Sequence, residues 1–221
     1  DFLIGVELTA GQAAVSEDTS GAMAYSGPIT LTKSAAVKAR IQNGNTWSAL
    51  AEAVFAVGPV RESLRISEIL FSPSVLDDPN SEYVELTNVG DETINLNLVR
   101  FTKGIDFTFG DVDLAPGAFC LVVKDRKAFE ARYGSGLPVV GQYSGSLADS
   151  GERIELCDAL GTVVHSFEYC DNWFDVVDSL GFSLTVTDPA GTDSALWGGS
   201  AYWRPSAASG HSTVAAAPST C

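Results

Sequence analysis

LRISEILFSPSVLDDPNSEYVELTNVGDETINLNLVRFTKG, residues 64–104, decides the fold. Leu64–Phe71 has the length and apolar content of a strand. A polar loop with two prolines and two aspartates follows at Ser72–Ser81, then Tyr83–Asn88 alternates apolar and polar residues. Gly90–Glu92 is a turn, and Ile94–Phe101 is the third predicted strand. Short runs of this kind, bounded by Gly, Pro, Asn and Asp, belong to β-sandwiches. The pattern continues outward through FTFG (Phe107–Gly110), AFCLVV (Ala118–Val123), the hairpin ERIELCD–TVVHSFEYC with its turn at Asp158–Gly161, and FSLTVTD (Phe182–Asp188). Asp125–Gly134 is the single predicted helix, with Gly134 at its C-cap position. The predicted fold class is all-β, two tandem β-sandwiches with one short helix near 125–133.

On the N-terminal side, Pro28–Leu31 and Ala36–Gln42 are predicted strands. In the second, Val37, Ala39 and Ile41 alternate with Lys38, Arg40 and Gln42, a half-buried pattern. Asn43–Gly44 is a hairpin turn signal, and Ala51–Val57 returns as the next strand. Gly58–Pro59 marks a boundary. The expected units are 1–58, a linker at 59–63, the main sandwich at 64–206 and a tail at 207–221.

The 221 residues are 45% apolar and 19% charged, with a formal net charge of −15. That is a globular composition with ample material for a core. Such a surface repels phosphate backbones and anionic membranes, which argues against nucleic-acid binding, and no run reaches the ~20 apolar residues of a membrane span. The first residue is Asp1 and the tail has the composition of a linker, so the sequence is expected to be a piece of a longer protein. The four cysteines, 120, 157, 170 and 221, include no CxxC pair, which disfavours a structural zinc site. Cys157 and Cys170 fall out of register for a direct bridge across their hairpin.

Together, 64–104, DLAPGAFCLVVKD (Asp113–Asp125), YSGSLADSGERIELCDALGTVVHSFEYCD (Tyr143–Asp171) and LWGGSAYWRPS (Leu196–Ser206) resemble, nearly end to end, the lamin-tail domain of large secreted bacterial proteins. AYSGPITLTKSAAVKARIQNGNTWSALAEAVFAV (Ala24–Val57) resembles the chitobiase/β-hexosaminidase C-terminal-type Ig-like module, without that family's usual upstream strand and turn. The first resemblance implies an Ig-like fold without catalysis, at the cell surface or outside the cell. Within it, Glu68, Glu82 and Glu85 fall on the family's acidic strand positions, with Ser67 where Asn is usual. Trp47 and Trp203 fall on core or closing positions.

The candidate site residues are few. Asp77, Asp78, Asn80 and Glu82 share one loop, and hard oxygen donors suit Ca²⁺. The loop lacks an EF-hand pattern, and the plainer reading is a solvated acidic loop. Asp171, Asp175 and Asp178 make a second, weaker acidic group. Glu68 and Glu85 are read as structural carboxylates tying strands to loop amides, because buried polar groups are normally paired. Trp173 and Trp197 lie near predicted loops and are candidates for glycan or protein contact. His165 alternates within a strand and is expected on a sheet face; His211 lies in the tail. No GxSxG elbow, P-loop or GxGxxG fingerprint occurs.

These observations point to a non-catalytic structural, adhesion or assembly segment of a secreted or surface protein, with no required cofactor. Its expected partners are other domains of the parent protein or neighbouring copies of itself. Two alternatives stand beside it. One is an accessory module of an extracellular enzyme, a CotH-type kinase, nuclease or glycoside hydrolase whose catalytic domain lies elsewhere. The other is a Ca²⁺-dependent or glycan-binding module.

Overall fold

The structure, a computed structural model, describes residues 3–9, 23–74, 76–191 and 193–207. Cys221, His211 and nearly all of the expected tail lie outside the described residues, as do the side chains of Asp178 and of residues 3–9 and 23.

The N-terminal strands are β1 (Leu3–Thr9), β2 (Met23–Ala24), β3 (Ala35–Asn43), β4 (Thr46–Trp47) and β5 (Ala51–Phe55). They form one antiparallel sheet in the order β2-β1-β3-β4, with β5 also paired to β3. β4 and β5 follow one another along the same edge of β3, joined through Ser48, whose Oγ accepts from the Ile41 amide at 3.0 Å. Gly44 takes φ 60° in the tight β3–β4 turn. The alternation in β3 sets its two faces as expected, but the burial is reversed: Lys38 is buried while Ile41 is 44% exposed. Among the described residues no second layer covers the face that carries Ile41. Pro28–Leu31 is irregular rather than a strand.

A single helical turn, α1 (Val60–Ser63), occupies the expected linker and buries Val60. The second unit then runs through β6 (Leu64–Leu70), β7 (Tyr83–Asn88), β8 (Ile94–Asn95), β9 (Arg100–Lys103), β10 (Asp113–Leu114) and β11 (Phe119–Val123). The helix α2 (Arg126–Tyr133) leads to β12 (Val139–Gln142), β13 (Arg153–Cys157), β14 (Val163–Glu168), the short helix α3 (Asp175–Ser179), β15 (Leu184–Val186) and β16 (Trp203–Pro205). One layer is the six-stranded sheet β12-β11-β7-β6-β15-β16; opposite it lie β14-β13-β9 and the pair β10-β8. Between them Ile66, Ile69, Val84, Leu86 and Val122 meet Phe101, Ile154, Leu156 and Phe167 in the main core. This is the expected β-sandwich.

Two phase slips shape it. Along β6 and one residue past it, the inward residues are Leu64 and Ile66, then Ile69 and Phe71, one residue out of a strict alternation. A bulge between Ile66 and Glu68 absorbs the extra residue and keeps both apolar sets on the core side. The expected strand Ile94–Phe101 has the same slip, with Leu96 and Val99 both buried. Here the chain breaks: Leu98 takes φ 68°, β8 pairs β10, and β9 crosses to β13. Phe107–Gly110 likewise forms only an isolated bridge, Thr108 to Arg100, instead of a strand.

β11 and β12 are parallel, so they need a crossover, and α2 supplies it. Asp125 caps the helix by accepting from the Ala128 amide at 2.9 Å, and Gly134 ends it at φ 84°. Phe129 of α2 covers the outer face of the large sheet over Leu70, Tyr83, Leu121 and Val123.

Ser34 links the two units. Its carbonyl accepts from Asn97 Nδ2 at 2.7 Å and its Oγ accepts from the Val57 amide at 3.0 Å. Ser34 and Asn97 are both buried, and Lys33 pairs with Asp111 alongside.

Gly151 tests this packing. It has φ +98°, and a Cβ there would lie 2.3 Å from the Tyr169 carbonyl oxygen. Gly151→Ala is expected to cost ~2 kcal/mol or more, from strain plus clash. Gly44→Ala, in open space, should cost about 1 kcal/mol from its positive φ alone. Calorimetric Tm values compare the two; equal shifts would contradict the packing described.

Candidate functional site

The acidic loop joins β6 to β7, and its carboxylates diverge. Asp78 Oδ1 accepts from the backbone amide of Asn80 at 2.8 Å and from its Nδ2 at 3.0 Å, a local turn. Asp77 turns towards α2 and pairs with Arg132 Nη1 at 3.1 Å. The same guanidinium donates to the Gly181 carbonyl at 3.0 Å and to Ser81 Oγ at 3.3 Å, so one arginine holds the loop, the helix and the segment before β15 together. Glu82 turns inward and is only 4% exposed. It accepts from Lys124 Nζ at 2.5 Å, Tyr143 OH at 2.9 Å and the Leu147 amide at 2.8 Å. The four expected Ca²⁺ ligands therefore do not converge. A cation of this kind needs six to eight oxygens within ~2.6 Å, and Asp77 and Glu82 are committed to cations of the protein itself. Among the described residues no group of three or more His, Cys, Asp or Glu is arranged to hold a metal ion.

Glu68 and Glu85 stand opposite one another across β6 and β7 on the outer face of the large sheet, both buried. Hydroxyls are among their partners. Tyr83 OH and Ser183 Oγ donate to Glu68 Oε1, and Ser67 Oγ, on the bulge, donates to Glu85 Oε1 at 2.6 Å. Burial, with Glu68 next, raises the Tyr83 phenol well above its usual value, so it stays a proton donor. Burial also pushes the Cys120 thiol up to about 12, which leaves it unreactive at neutral pH. Cys120, Cys157 and Cys170 are all free thiols.

The tryptophans divide. Trp197 is wholly buried, its ring edge-on to His165 at 4.6 Å and to Trp203 at 5.8 Å, and its carbonyl accepts from Trp203 Nε1 at 2.9 Å. It is a core residue with no face to offer a sugar, which corrects its reading as a loop aromatic. Trp173 is half-buried, with its ring 6.2 Å from that of Trp203, and keeps part of its surface in solvent. Asp171 opens the short turn that carries Trp173, and Asp175 opens α3.

Residues that the sequence reading left unassigned hold the structure together: Asn97, Lys124, Arg132 and Tyr143. Only Asn97 had a signal, the broken alternation of Ile94–Phe101. Arg132 and Lys124 act through contacts 42 to 55 residues away in sequence, which no local pattern displays. Two hollows remain. One of about 240 Å³ lies at the junction of the units, bordered by Ser34, Val57, Val60, Arg61, Val99 and Asp158. The other, about 330 Å³ and more open, is bordered by Asp106, Phe107, Thr108, Gln142 and Ser144.

His165 is 1% exposed, and neither ring nitrogen makes a hydrogen bond; the Leu64 carbonyl lies near enough only to favour the charged ring slightly. Burial, with the Arg65 charge next, pushes its pKa down to about 3 from 6.5. The unfolded chain therefore binds a proton that the folded chain refuses. Stability from this group is complete above pH 6.5 and is lost as the pH falls towards 3. His165→Phe is expected to flatten the urea-unfolding stability across that window, by a few kcal/mol at most (order of magnitude). An unchanged slope would contradict a neutral buried imidazole.

The family model of the Lamin Tail Domain matches residues 59–171, just over half of the chain. No curated protein matches it. Among solved structures, a DUF4876 family protein from Bacteroides thetaiotaomicron VPI-5482 is similar at 12% identity and a TM-score of 0.39, covering 84% of this chain and 82% of that one. With its Ig-like sandwich and a family match over just over half of its length, this chain belongs to the lamin tail domain family.

Proposed function

We propose that the chain is a non-catalytic structural or assembly segment of a larger secreted or cell-surface bacterial protein. Membership of a generally non-catalytic Ig-like family supports this, and no enzyme family is indicated. The observation that carries it is the buried junction between the two β units. Asn97 and Ser34 are 1% and 2% exposed and joined by a 2.7 Å hydrogen bond. Opening the joint breaks this bond and gives up the burial around it, which opposes bending. Asn97 is itself set by Asn95, whose Oδ1 accepts from the Asn97 amide at 3.0 Å while its Nδ2 donates to Asp111 and Asp113. Lys33 reaches the same Asp111 from the N-terminal unit. Two β units held in a fixed relation suit a spacer that sets distance and direction.

The charge of −15 fits a chain kept soluble and apart from nucleic acid. Among the described residues no helix is long and apolar enough to cross a membrane. The family match begins at residue 59, so the chitobiase/β-hexosaminidase C-terminal-type reading of the N-terminal unit rests on its sequence alone.

Backbone ¹⁵N relaxation tests the joint. One rotational correlation time is expected for both units in the wild type, and Asn97→Leu should separate them into two. Two independent correlation times in the wild type would remove the stiff spacer.

A further inference from the structure

We propose that the outer edge of β5 is a self-association surface, pairing antiparallel with β5 of a second copy of this chain. This gives the assembly reading above a partner and rests on that reading.

β5 is bonded along one side to β3, from Ala35–Phe55 to Ala39–Ala51, without a bulge. No described strand pairs with its other side. All five residues are exposed, with Val54 at 38% and Phe55 at 47%. An edge that shows a row of free amides and carbonyls is a template for another strand unless it is blunted by Pro, Lys, a bulge or shortness. Three of the other sheet edges carry such devices. β2 is two residues long, β16 is three and ends in Pro205, and Arg126 donates to the Val139 carbonyl of β12 at 2.9 Å. β5, sequence AEAVF, has only Glu52.

The occupant follows from the pattern of this strand. A two-fold axis through Ala53, perpendicular to the sheet, uses all five residues of both copies. It places Glu52 opposite the partner's Val54, and Ala51 opposite the partner's Phe55, so no carboxylates meet. Centring on Glu52 would oppose two like charges, which is unfavourable. The same axis keeps equivalent faces together. Ala51, Ala53 and Phe55 share a face with the half-buried Val37 and Ala39 and the exposed Ile41, and that partly exposed apolar strip continues into the second copy. A five-residue edge buries less than the ~1,600 Å² of a standard interface, so the dimer is weak. The charge of −15 on each copy opposes it, so salt strengthens it.

Sedimentation equilibrium of the full chain, from ~10 µM to ~1 mM in ~0.3 M NaCl, tests this. A monomer–dimer equilibrium is expected. Ala53→Glu and Ala53→Lys each place like charges opposite one another and should weaken it roughly tenfold or more, while an equimolar mixture of the two should restore the dimer. Circular dichroism confirms that both variants fold, since Ala53 is exposed. A monomer throughout, a dimer indifferent to Ala53→Glu, or a mixture that stays monomeric overturns the proposal. None of these outcomes alters the stiff joint, which relaxation measures separately.

Discussion

Glu82 ends the acidic loop with its carboxylate turned into the protein, and the far end of the sandwich is organised around that charge. It collects a lysine from just beyond β11, a phenol from just beyond β12 and the backbone amide of Leu147. These three donors belong to segments that the chain could bring together in many ways. A buried carboxylate removes the choice, because an unpaired charge in the interior costs far more than any single contact gains. The order continues from Leu147 to its neighbour: Ala148 donates its amide to Glu152 at 2.7 Å, and its carbonyl accepts from Tyr169 OH at 2.9 Å. Burial and the nearby Glu82 hold the Tyr143 phenol far above its usual value, and Glu152 adds to burial in doing the same for Tyr169. Both remain permanent donors.

The same logic accounts for the other acidic residues that invite a chemical reading. Asp77 is bound by Arg132, Asp78 by the turn it caps, and Glu68 and Glu85 receive the hydroxyls of Tyr83, Ser183 and Ser67. Each carboxylate fixes a loop or a strand position. In a sheet whose outer face is covered only in part by α2, such polar ties replace the second apolar layer that a larger domain would use. In this chain the acidic positions satisfy backbone and side-chain donors.

Much of this could be read from residue order. β6, β7, β11, the β13–β14 hairpin and the capped helix α2 carry local signals, namely alternation, turn residues and an Asp–Gly pair of caps. The reading lost accuracy where alternation slips by one residue. At Ile66–Ile69 the slip became a bulge within one strand; at Leu96–Val99 it became a left-handed residue and a change of sheet. The two patterns look alike, and pairing partners distant in sequence decide between them. The side-chain directions of the Asp77–Glu82 cluster were illegible for a related reason. Adjacent carboxylates suggest convergence, but side-chain direction was set by Arg132 and Lys124. Trp197 misled because glycines around it suggest a surface loop, while His165 and Trp203 enclose it.

The central claim is that Glu82 and its donors act as one unit in stability. A double-mutant cycle with Glu82→Gln, Tyr143→Phe and both together, measured by urea unfolding at neutral pH, tests it most directly. A coupling of ~1–3 kcal/mol is expected, since Glu82→Gln removes the charge that strengthens the Tyr143 bond and Tyr143→Phe leaves that oxygen short of a donor. Additive effects with no coupling would contradict the account.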